Sequence, residues 1–152
     1  MIEIKRILAP SDFSLHSNRA LRYAASIAER FQAELHLLHI LPEILTPVGP
    51  EPMLVAELPL EYYAENEALA LDTLKGLPQA DWGKPASTQF AVRWGETVSC
   101  TLAYAQEIKA DLLVISTHGR TGLSHALMGS VAERIVRESH CPVLTVRDPR
   151  KD

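Results

Sequence analysis

Short apolar runs with the lengths of β-strands alternate along this chain with segments that carry apolar residues at helical spacing. The strand-like runs and the helical segments between them are residues 5–11, 14–31, 33–41, 60–75, 87–94, 96–110, 111–117, 130–139 and 141–147. This alternation favours parallel strands joined by right-handed helical crossovers. The sequence therefore predicts an α/β fold of three layers, in which an open sheet of five parallel strands carries helices on both faces.

Composition places the chain among ordinary globular proteins and predicts a single domain over residues 1–152. Hydrophobic residues make up 47% and charged residues 22%, which argues against disorder, and the net charge of -4 gives no basic footprint for nucleic acid. Cys100 and Cys141 form no zinc motif and suit a reducing compartment. The sequence shows neither a secretory leader nor a run long enough to span a bilayer, so we expect a cytoplasmic protein.

A glycine-rich stretch, residues 114–136, begins as a strand and ends as a helix. In that context free N–H groups at the start of a helix bind anions, and glycines let the backbone approach them closely. The stretch contains neither a Walker A loop nor a GxGxxG motif. Two interpretations stay open: phosphate binding, or a capping box formed by Ser130 and Glu133, with Gly119 and Gly122 as turn residues.

Few other side chains are candidates for chemistry. Asp12 follows the first strand, where it either faces a ligand or caps the next helix, and the cap is favoured, while Ser14 is a second plausible N-cap of the same helix. His118 lies in the glycine-rich stretch and either lines a ligand or hydrogen-bonds a backbone group. His36 and His39 fall on opposite faces of a strand and cannot share a metal ion. No catalytic spacing and no G-x-S-x-G motif occur, so we predict no catalytic residue and no metal ligand.

Two segments carry predictions about the surface. Residues 42–59 hold five prolines without a clear period, and they form either a lid over a ligand or a loop without function. If the last strand lies at the sheet edge, its open hydrogen bonds invite pairing with a second copy of the chain. The C-terminal residues 148–152, DPRKD, can also protect this edge with proline and charge, and both can hold at once if pairing is limited to a specific two-fold dimer.

Three stretches together resemble the universal stress protein family, in its single-domain, nucleotide-binding type. They are KRILAPSDFS, LHLLHIL and DLLVISTHGRTGLSHALMGSVAERIVRESHCPVLTVR, and the resemblance extends over nearly the whole chain. It implies a Rossmann-like sheet of strand order 3-2-1-4-5, similar to that of the adenine nucleotide alpha hydrolases. The nucleotide-binding type is marked by G-x-x-G, nine residues, then G-S or G-T. Here Gly119, Gly129 and Ser130 match this pattern, whereas Ser116 replaces its first glycine.

The resemblance implies a regulatory stress protein that binds ATP, ADP or AMP, with Mg²⁺ possible beside ATP, and that catalyses no reaction. The residues implied in nucleotide binding are Pro10, Ser11, Asp12, Ile40, Ser116, Thr117, His118, Gly119, Arg120, Gly129, Ser130 and Val131. Arg120 either adds charge to a phosphate or is a solvated surface residue. Ser116 leaves three consequences open: weaker binding, a preference for AMP or ADP, or a hydroxyl contact.

Further implications concern partners. The family typically forms homodimers through the last strand, which here contains Val143, Leu144, Thr145 and Val146. An unidentified protein partner is expected, and neither nucleic acid nor a membrane is. Two alternatives stay open for the function: a slow ATPase, and a dimeric interaction module that binds no nucleotide.

Overall fold

The computed structural model describes residues 1–43, 46–47, 55–56, 58–118 and 128–147 of the chain. Its elements are β1 (Arg6–Ser11), α1 (Leu15–Phe31), β2 (Glu34–Leu41), β3 (Thr46–Pro47), β4 (Val55–Ala56), α2 (Leu60–Lys75), β5 (Ser87–Trp94), α3 (Thr97–Glu107), β6 (Leu112–Ser116), α4 (Ser130–Glu138) and β7 (Val143–Val146). Each predicted strand and helix is present, with ends that differ from the prediction by no more than a few residues.

The main sheet has five parallel strands in the order β5-β2-β1-β6-β7. Numbered along the main sheet alone, this is the order 3-2-1-4-5, so the predicted fold class is confirmed. A second, two-stranded sheet pairs β3 with β4 in antiparallel fashion and was not predicted. Strands of two residues are too short to leave a detectable alternation in the sequence, which is why only a loop was expected there.

Both faces of the main sheet are covered, which explains why its central strand, β1, carries consecutive apolar residues rather than an alternating pattern. Ile7 and Ala9 of β1 point into a core that includes Leu21 of α1. Leu8, between them, points into a second core that includes Val98 of α3 and Ile135 of α4. All of these side chains are at most 1% exposed. The central strand is therefore buried on both sides between two helical layers.

The strand order of the main sheet reverses between β1 and β6, and a crevice opens at this point. β1 pairs with β2 along its full length, from Arg6 to Ser11. On its other side, among the described residues, β1 pairs with β6 only through Ile7 and Leu8. The carboxyl ends of β1 and β6 therefore separate at the point where the strand order reverses, which is where open α/β sheets bind ligands.

None of the helices in the described ranges is long and apolar enough to cross a membrane.

Candidate functional site

A cavity of about 520 Å³ lies at the crevice between the carboxyl ends of β1 and β6. Its volume is within the range of small-molecule sites in proteins. Every residue of the predicted nucleotide site that the structure describes lines this cavity: Pro10, Ser11, Asp12, Ile40, Ser116, Thr117, His118, Gly129, Ser130 and Val131. Gly119 and Arg120 lie outside the described residues. The fold thus brings together positions that are far apart in the sequence.

The turn from β1 into α1 forms one wall of the cavity, and the hydroxyl protons of Ser11 and Ser17 in it are donated within the protein. Ser17 Oγ donates to the carbonyl oxygen of Ser14 at 3.0 Å. In the 3.3 Å contact between the Ser11 and Ser17 hydroxyls, Ser11 is consequently the donor. Ser11 Oγ also accepts the N–H of Phe13 at 3.1 Å. Ser11 and Ser17 therefore offer a ligand oxygen lone pairs rather than a hydroxyl proton.

Asp12 lies in this turn but does not cap α1, so the favoured interpretation of its role is wrong. Ser14 is the N-cap, and its side chain accepts the N–H of Ser17. Asp12 Oδ1 instead accepts the N–H of Ser14 at 2.9 Å, which fixes the turn that precedes the helix. Both residue types cap helices well, and the sequence alone did not settle which of the two stands at the boundary.

The end of β6 forms the opposite wall of the cavity, and hydrogen bonds from its side chains hold it in place. Ser116 Oγ donates to the carbonyl oxygen of His118 at 2.6 Å. Thr117 Oγ1 lies 2.9 Å from His118 Nδ1, and His118 lines the cavity. The N–H of Thr117 donates to the carbonyl oxygen of Val146 at 3.1 Å, which ties this turn to β7.

The start of α4 lines the cavity with Gly129 and Ser130, which are among the residues that the resemblance implies in nucleotide binding. Gly129 is the N-cap, its N–H donates to the Thr117 carbonyl oxygen at 2.7 Å, and a Cβ on Gly129 would lie 3.2 Å from that oxygen. Glycine is needed here because a side chain would crowd the Thr117 carbonyl oxygen. The backbone angle does not require glycine, because its φ of -69° is open to any residue. Ser130 is the first helical residue and not the N-cap, so the predicted capping box with Glu133 is wrong.

The amide groups at this helix start are placed to hold an anion. The N–H groups of Ser130, Val131 and Ala132 have no acceptor within the helix, because the first turn of any α-helix lacks one. All three residues line the cavity. The helix dipole adds partial positive charge at the same point. Hydrogen-bond donors are therefore concentrated on the α4 side, opposite the acceptor oxygens of the β1 turn.

The sequence missed several lining residues, which are Ser17, His39, Leu41, Thr97, Thr101, Ile115, Ala132 and Ile135, whereas Pro42, which also lines the cavity, begins the segment 42–59 that was predicted as either a lid or a loop without function. Thr97 and Thr101 stand one helical turn apart on α3, and Thr101 Oγ1 donates to the Thr97 carbonyl oxygen at 2.7 Å. That spacing was the only available signal, and it is equally typical of threonines that bond back to their own helix.

The two histidines of β2 take different environments, as predicted. His39 lines the cavity, stacks on Phe13 with ring centroids 4.0 Å apart, and has Nδ1 2.7 Å from the Ser11 carbonyl oxygen. Since that oxygen only accepts, Nδ1 carries the proton. His36 points to the other face, where its Nδ1 lies 3.1 Å from the Tyr104 hydroxyl. Within the described ranges, no three His, Cys, Asp or Glu side chains are grouped to hold a metal ion.

An ion pair joins α3 and α4 beside the cavity. Glu96 caps α3, and Arg134 Nη1 of α4 lies 3.2 Å from its Oε1. Hydrogen bonds from the Ser99 hydroxyl and N–H, followed by the Val98 N–H and the charge of Arg134, lower the pKa of Glu96 to about 2. The carboxylate therefore stays charged and holds the two helices that flank this side of the cavity.

The last strand, β7, lies at the edge of the sheet, which was the condition for the predicted dimer. The carbonyl oxygens of Pro142 and Val146 accept from Leu113 and Thr117, so alternate residues bond to β6. Val143 and Thr145 therefore turn their backbone groups to the open edge. Residues 148–152, which were the other prediction for this edge, lie outside the described residues.

Comparison with known proteins places the chain in a family. The sequence profile of the universal stress protein family matches residues 3–147. Universal stress protein MJ0531 of Methanocaldococcus jannaschii is 35% identical over 97% of this chain and 85% of its own length. Among solved structures, the universal stress protein UspA from Lactobacillus plantarum has a TM-score of 0.77 and 22% identity, covering 97% of this chain and 100% of that one.

A further solved structure is that of a universal stress protein in complex with cAMP, with a TM-score of 0.67 and 23% identity over 96% of this chain and 98% of that one. At these identities the two structures show the fold alone, whereas the profile match and the 35% identity show the family. The chain belongs to the universal stress protein family.

Proposed function

We propose that this protein binds an adenine nucleotide, ATP, ADP or AMP, in the cavity between β1, β6 and α4, and acts as a nucleotide-responsive regulator of the stress response. The observation that carries the proposal is the start of α4. Among the described residues no side chain caps this helix, and its first three residues line a cavity at the strand-order reversal. Such a site suits an anionic group attached to a larger, partly apolar ligand.

The polarity of the walls supports a particular orientation of the nucleotide. The phosphoryl group lies against the N–H groups of Ser130 and Val131, where the donors and the helix dipole are. The sugar lies over the β1 turn, where Ser11 offers an acceptor. The base lies toward the end of β2, beside Ile40, which belongs to the apolar part of the lining. The cAMP complex of a similar universal stress protein supports this choice of ligand class.

The proposed mechanism is a change of conformation on binding and not a reaction. Binding at the α4 start adds contacts between β6, α4 and the β1 turn, and so changes the surface that a partner protein meets. Mg²⁺ accompanies ATP if the triphosphate is the ligand. The protein acts in the cytoplasm as a homodimer that pairs through β7, as the sequence predicted. It requires neither nucleic acid nor a membrane.

The test is isothermal titration of the purified protein with ATP, ADP and AMP, with and without Mg²⁺, together with native mass spectrometry for retained ligand. The decisive variant pair is Gly129→Glu and Gly129→Gln, which have nearly the same shape and differ in charge. A carboxylate at the start of α4 opposes a bound phosphate, so we expect Gly129→Glu to weaken binding by about tenfold or more relative to Gly129→Gln.

The matched control is Gln79→Glu, which adds the same charge at an exposed residue that does not line the cavity. Its affinity for the nucleotide should equal that of the unmodified protein. Absence of binding by all three nucleotides at millimolar concentration would overturn the proposal, and equal affinities for Gly129→Glu and Gly129→Gln would overturn the assignment of the phosphate to α4.

A further inference from the structure

Two helices, α1 and α2, lie side by side on one face of the main sheet, away from the cavity side of α3 and α4. Leu21 of α1 and Leu74 of α2 belong to the same core beneath them. α1 packs against β1 and β6, and α2 packs against β2 and β5. Both helices run back from the carboxyl ends of parallel strands, so they point in the same direction. The solvent side of this pair of helices is called the α1–α2 face below.

The charges of the α1–α2 face are separated by sign between the two helices. α1 contains three arginines against one glutamate, whereas α2 contains four carboxylates against one lysine. Arg22 and Arg30 are exposed on α1, and Glu65 and Asp72 are exposed on α2. The helical rise separates the two arginines by about 12 Å along the axis and the two carboxylates by about 10.5 Å. Basic groups on one helix and acidic groups on the other are therefore spaced to match.

These charges are largely left without partners in their own chain. In the part of the chain that the structure describes, Arg30, Glu65 and Asp72 form no ion pair. Arg22 pairs with Asp81 at 2.8 Å, but both side chains are more than half exposed, so this pair contributes little. By contrast, both arginines of α4 pair with glutamates of α4 itself. The α1–α2 face thus keeps one basic half and one acidic half.

A surface with a basic half and an acidic half is complementary to a second copy of itself. A two-fold axis that runs between α1 and α2, along their common direction, places α1 of each copy over α2 of the other. Four contacts between an arginine and a carboxylate then form together. Tyr23 on α1 and Leu69 on α2 are exposed and add apolar area to this contact. A partner whose charge has a single sign would satisfy only one of the two halves.

We propose that a second copy of this chain docks on the α1–α2 face about this axis, with Arg22 and Arg30 of each copy against Glu65 and Asp72 of the other. The inference does not depend on nucleotide binding, and the surface is separate from the open edge of β7. A helix of 16 residues is about 24 Å long, and two adjacent helices are about 20 Å wide, so the contact buries about 1,000 Å² in total. That area is at the low end of specific interfaces, so we expect a dissociation constant of tens of micromolar.

The test is a mixing experiment in which the charges of one helix are reversed at a time. The α1 variant carries Arg22→Glu and Arg30→Glu, and the α2 variant carries Glu65→Arg and Asp72→Arg. Both variants and the reference protein also carry Thr145→Pro, which removes an N–H donor from the open edge of β7. Association through β7 then contributes less to the measurement, and the α1–α2 face is observed by itself.

Each variant alone opposes four pairs of like charges across the proposed axis. Sedimentation velocity at about 50 mM salt should therefore give each a dissociation constant at least about tenfold above that of the reference protein. A mixture of the two variants restores every pair of opposite charges. It should form a mixed dimer whose dissociation constant lies within about threefold of the reference, and native mass spectrometry identifies this dimer by its mass.

The matched control is Arg137→Glu on α4, an exposed residue on the other side of the sheet, and it should leave the association of the reference protein unchanged. A statistical mixture of the two variants overturns the proposal, because a contact elsewhere would not distinguish them. Absence of association of the reference protein at about 200 μM overturns it as well, since that concentration exceeds the expected dissociation constant.

Circular dichroism identifies a protein that fails to fold. If a double reversal does, Arg30→Glu and Asp72→Arg replace the two variants in the same mixing experiment. If Thr145→Pro does, the mixing is repeated without it, and assemblies larger than a dimer should form only when both variants are present. Such assemblies in either variant alone would contradict the proposed contact.

Discussion

The amide nitrogen of Gly129 lies 2.7 Å from the carbonyl oxygen of Thr117, and this hydrogen bond joins the end of β6 to the start of α4. The two elements thus meet directly, whatever course the chain takes between them. Since β6 is fixed by β1 and β7, the first N–H groups of α4 have a fixed position relative to the sheet. A site that depends on donors at that helix start is therefore built before any ligand arrives.

Gly129→Ala tests how much this close approach matters. The added Cβ would lie 3.2 Å from Thr117 O, so the contact must open by a few tenths of an ångström, and we expect a loss of about 1 kcal/mol in the free energy of unfolding. The matched control is Gly76→Ala, whose Cβ would lie at an ordinary 3.4 Å from the Thr73 carbonyl oxygen, at a φ of -79°. Urea denaturation should show no loss there, and equal effects at the two glycines would contradict the prediction.

Gly95→Ala tests a different constraint, at the turn that enters α3. Gly95 has a φ of +136°, and a Cβ there would lie 2.7 Å from Cys100 Sγ. Backbone strain and overlap act together, so we expect a loss of roughly 3 kcal/mol. Cys100→Ala removes the overlap but not the strain, and in that background the cost of Gly95→Ala should fall by about 1 kcal/mol or more. A double-mutant cycle by chemical denaturation measures the coupling, and strictly additive effects would refute it.

Glu96 makes the stability of the protein depend on pH in acid. Its pKa is lowered from 4.5 to about 2 in the folded state, with the Ser99 hydroxyl as the first cause, so the unfolded chain takes up the proton first. Its stabilising contribution is complete above about pH 4.5 and is lost as the pH falls toward 2. The side chain is about half exposed, which limits the contribution to about 1 kcal/mol at neutral pH.

Glu96→Gln should therefore be less stable than the unmodified protein at pH 7, and the difference should shrink between pH 4.5 and pH 3. Urea denaturation over this range measures both quantities. Glu67→Gln, at an exposed position within α2, serves as the control, and its free energy of unfolding should differ little from that of the unmodified protein. If the free energies of unfolding of Glu96→Gln and of the unmodified protein differed by the same amount at every pH, this result would count against the assigned role of the carboxylate.

Thr145→Pro tests the predicted dimer at the open edge of β7. The Thr145 backbone faces away from β6, so proline removes a donor from the edge without removing a ladder hydrogen bond. We expect the dimer dissociation constant to rise at least about tenfold, measured by sedimentation velocity, with an unchanged circular dichroism spectrum. Thr145→Val keeps the N–H and should remain dimeric. A dimer that tolerates Thr145→Pro would have to use another surface.

Much of the fold was predictable because its signals are local. The apolar run Ile7–Ala9 reads as a buried strand, since no polar residue interrupts it and both faces of a parallel strand are covered. Leu21 and Ala24 recur at helical spacing because they lie on the one face of α1 that packs against the sheet. The two-residue strands β3 and β4 escaped prediction because a pairing of that length depends on the chain around it.

The helix boundaries show where local signals fail. Ser130 with Glu133 has the spacing of a capping box, yet the N-cap is Gly129, whose N–H donates to the carbonyl oxygen of Thr117. Asp12 and Ser14 are equally good caps, and the turn at Phe13, with a φ of 64°, decides for Ser14. In both cases a contact or a backbone angle fixed the end of the helix, and residue type did not.

The sequence by itself determined the order of strands and helices, the covered faces of the sheet and the family, because hydrophobic periodicity and motif spacing are written along the chain. Only the tertiary structure decided which side chains share a cavity and which hydroxyl protons are already spent. Ser116, Ser11, Thr101 and His39 come from four different elements, and the hydrogen-bonding state of each depends on neighbours that folding supplies. A hydroxyl or imidazole can both donate and accept, so its role is undefined until its partner is in place.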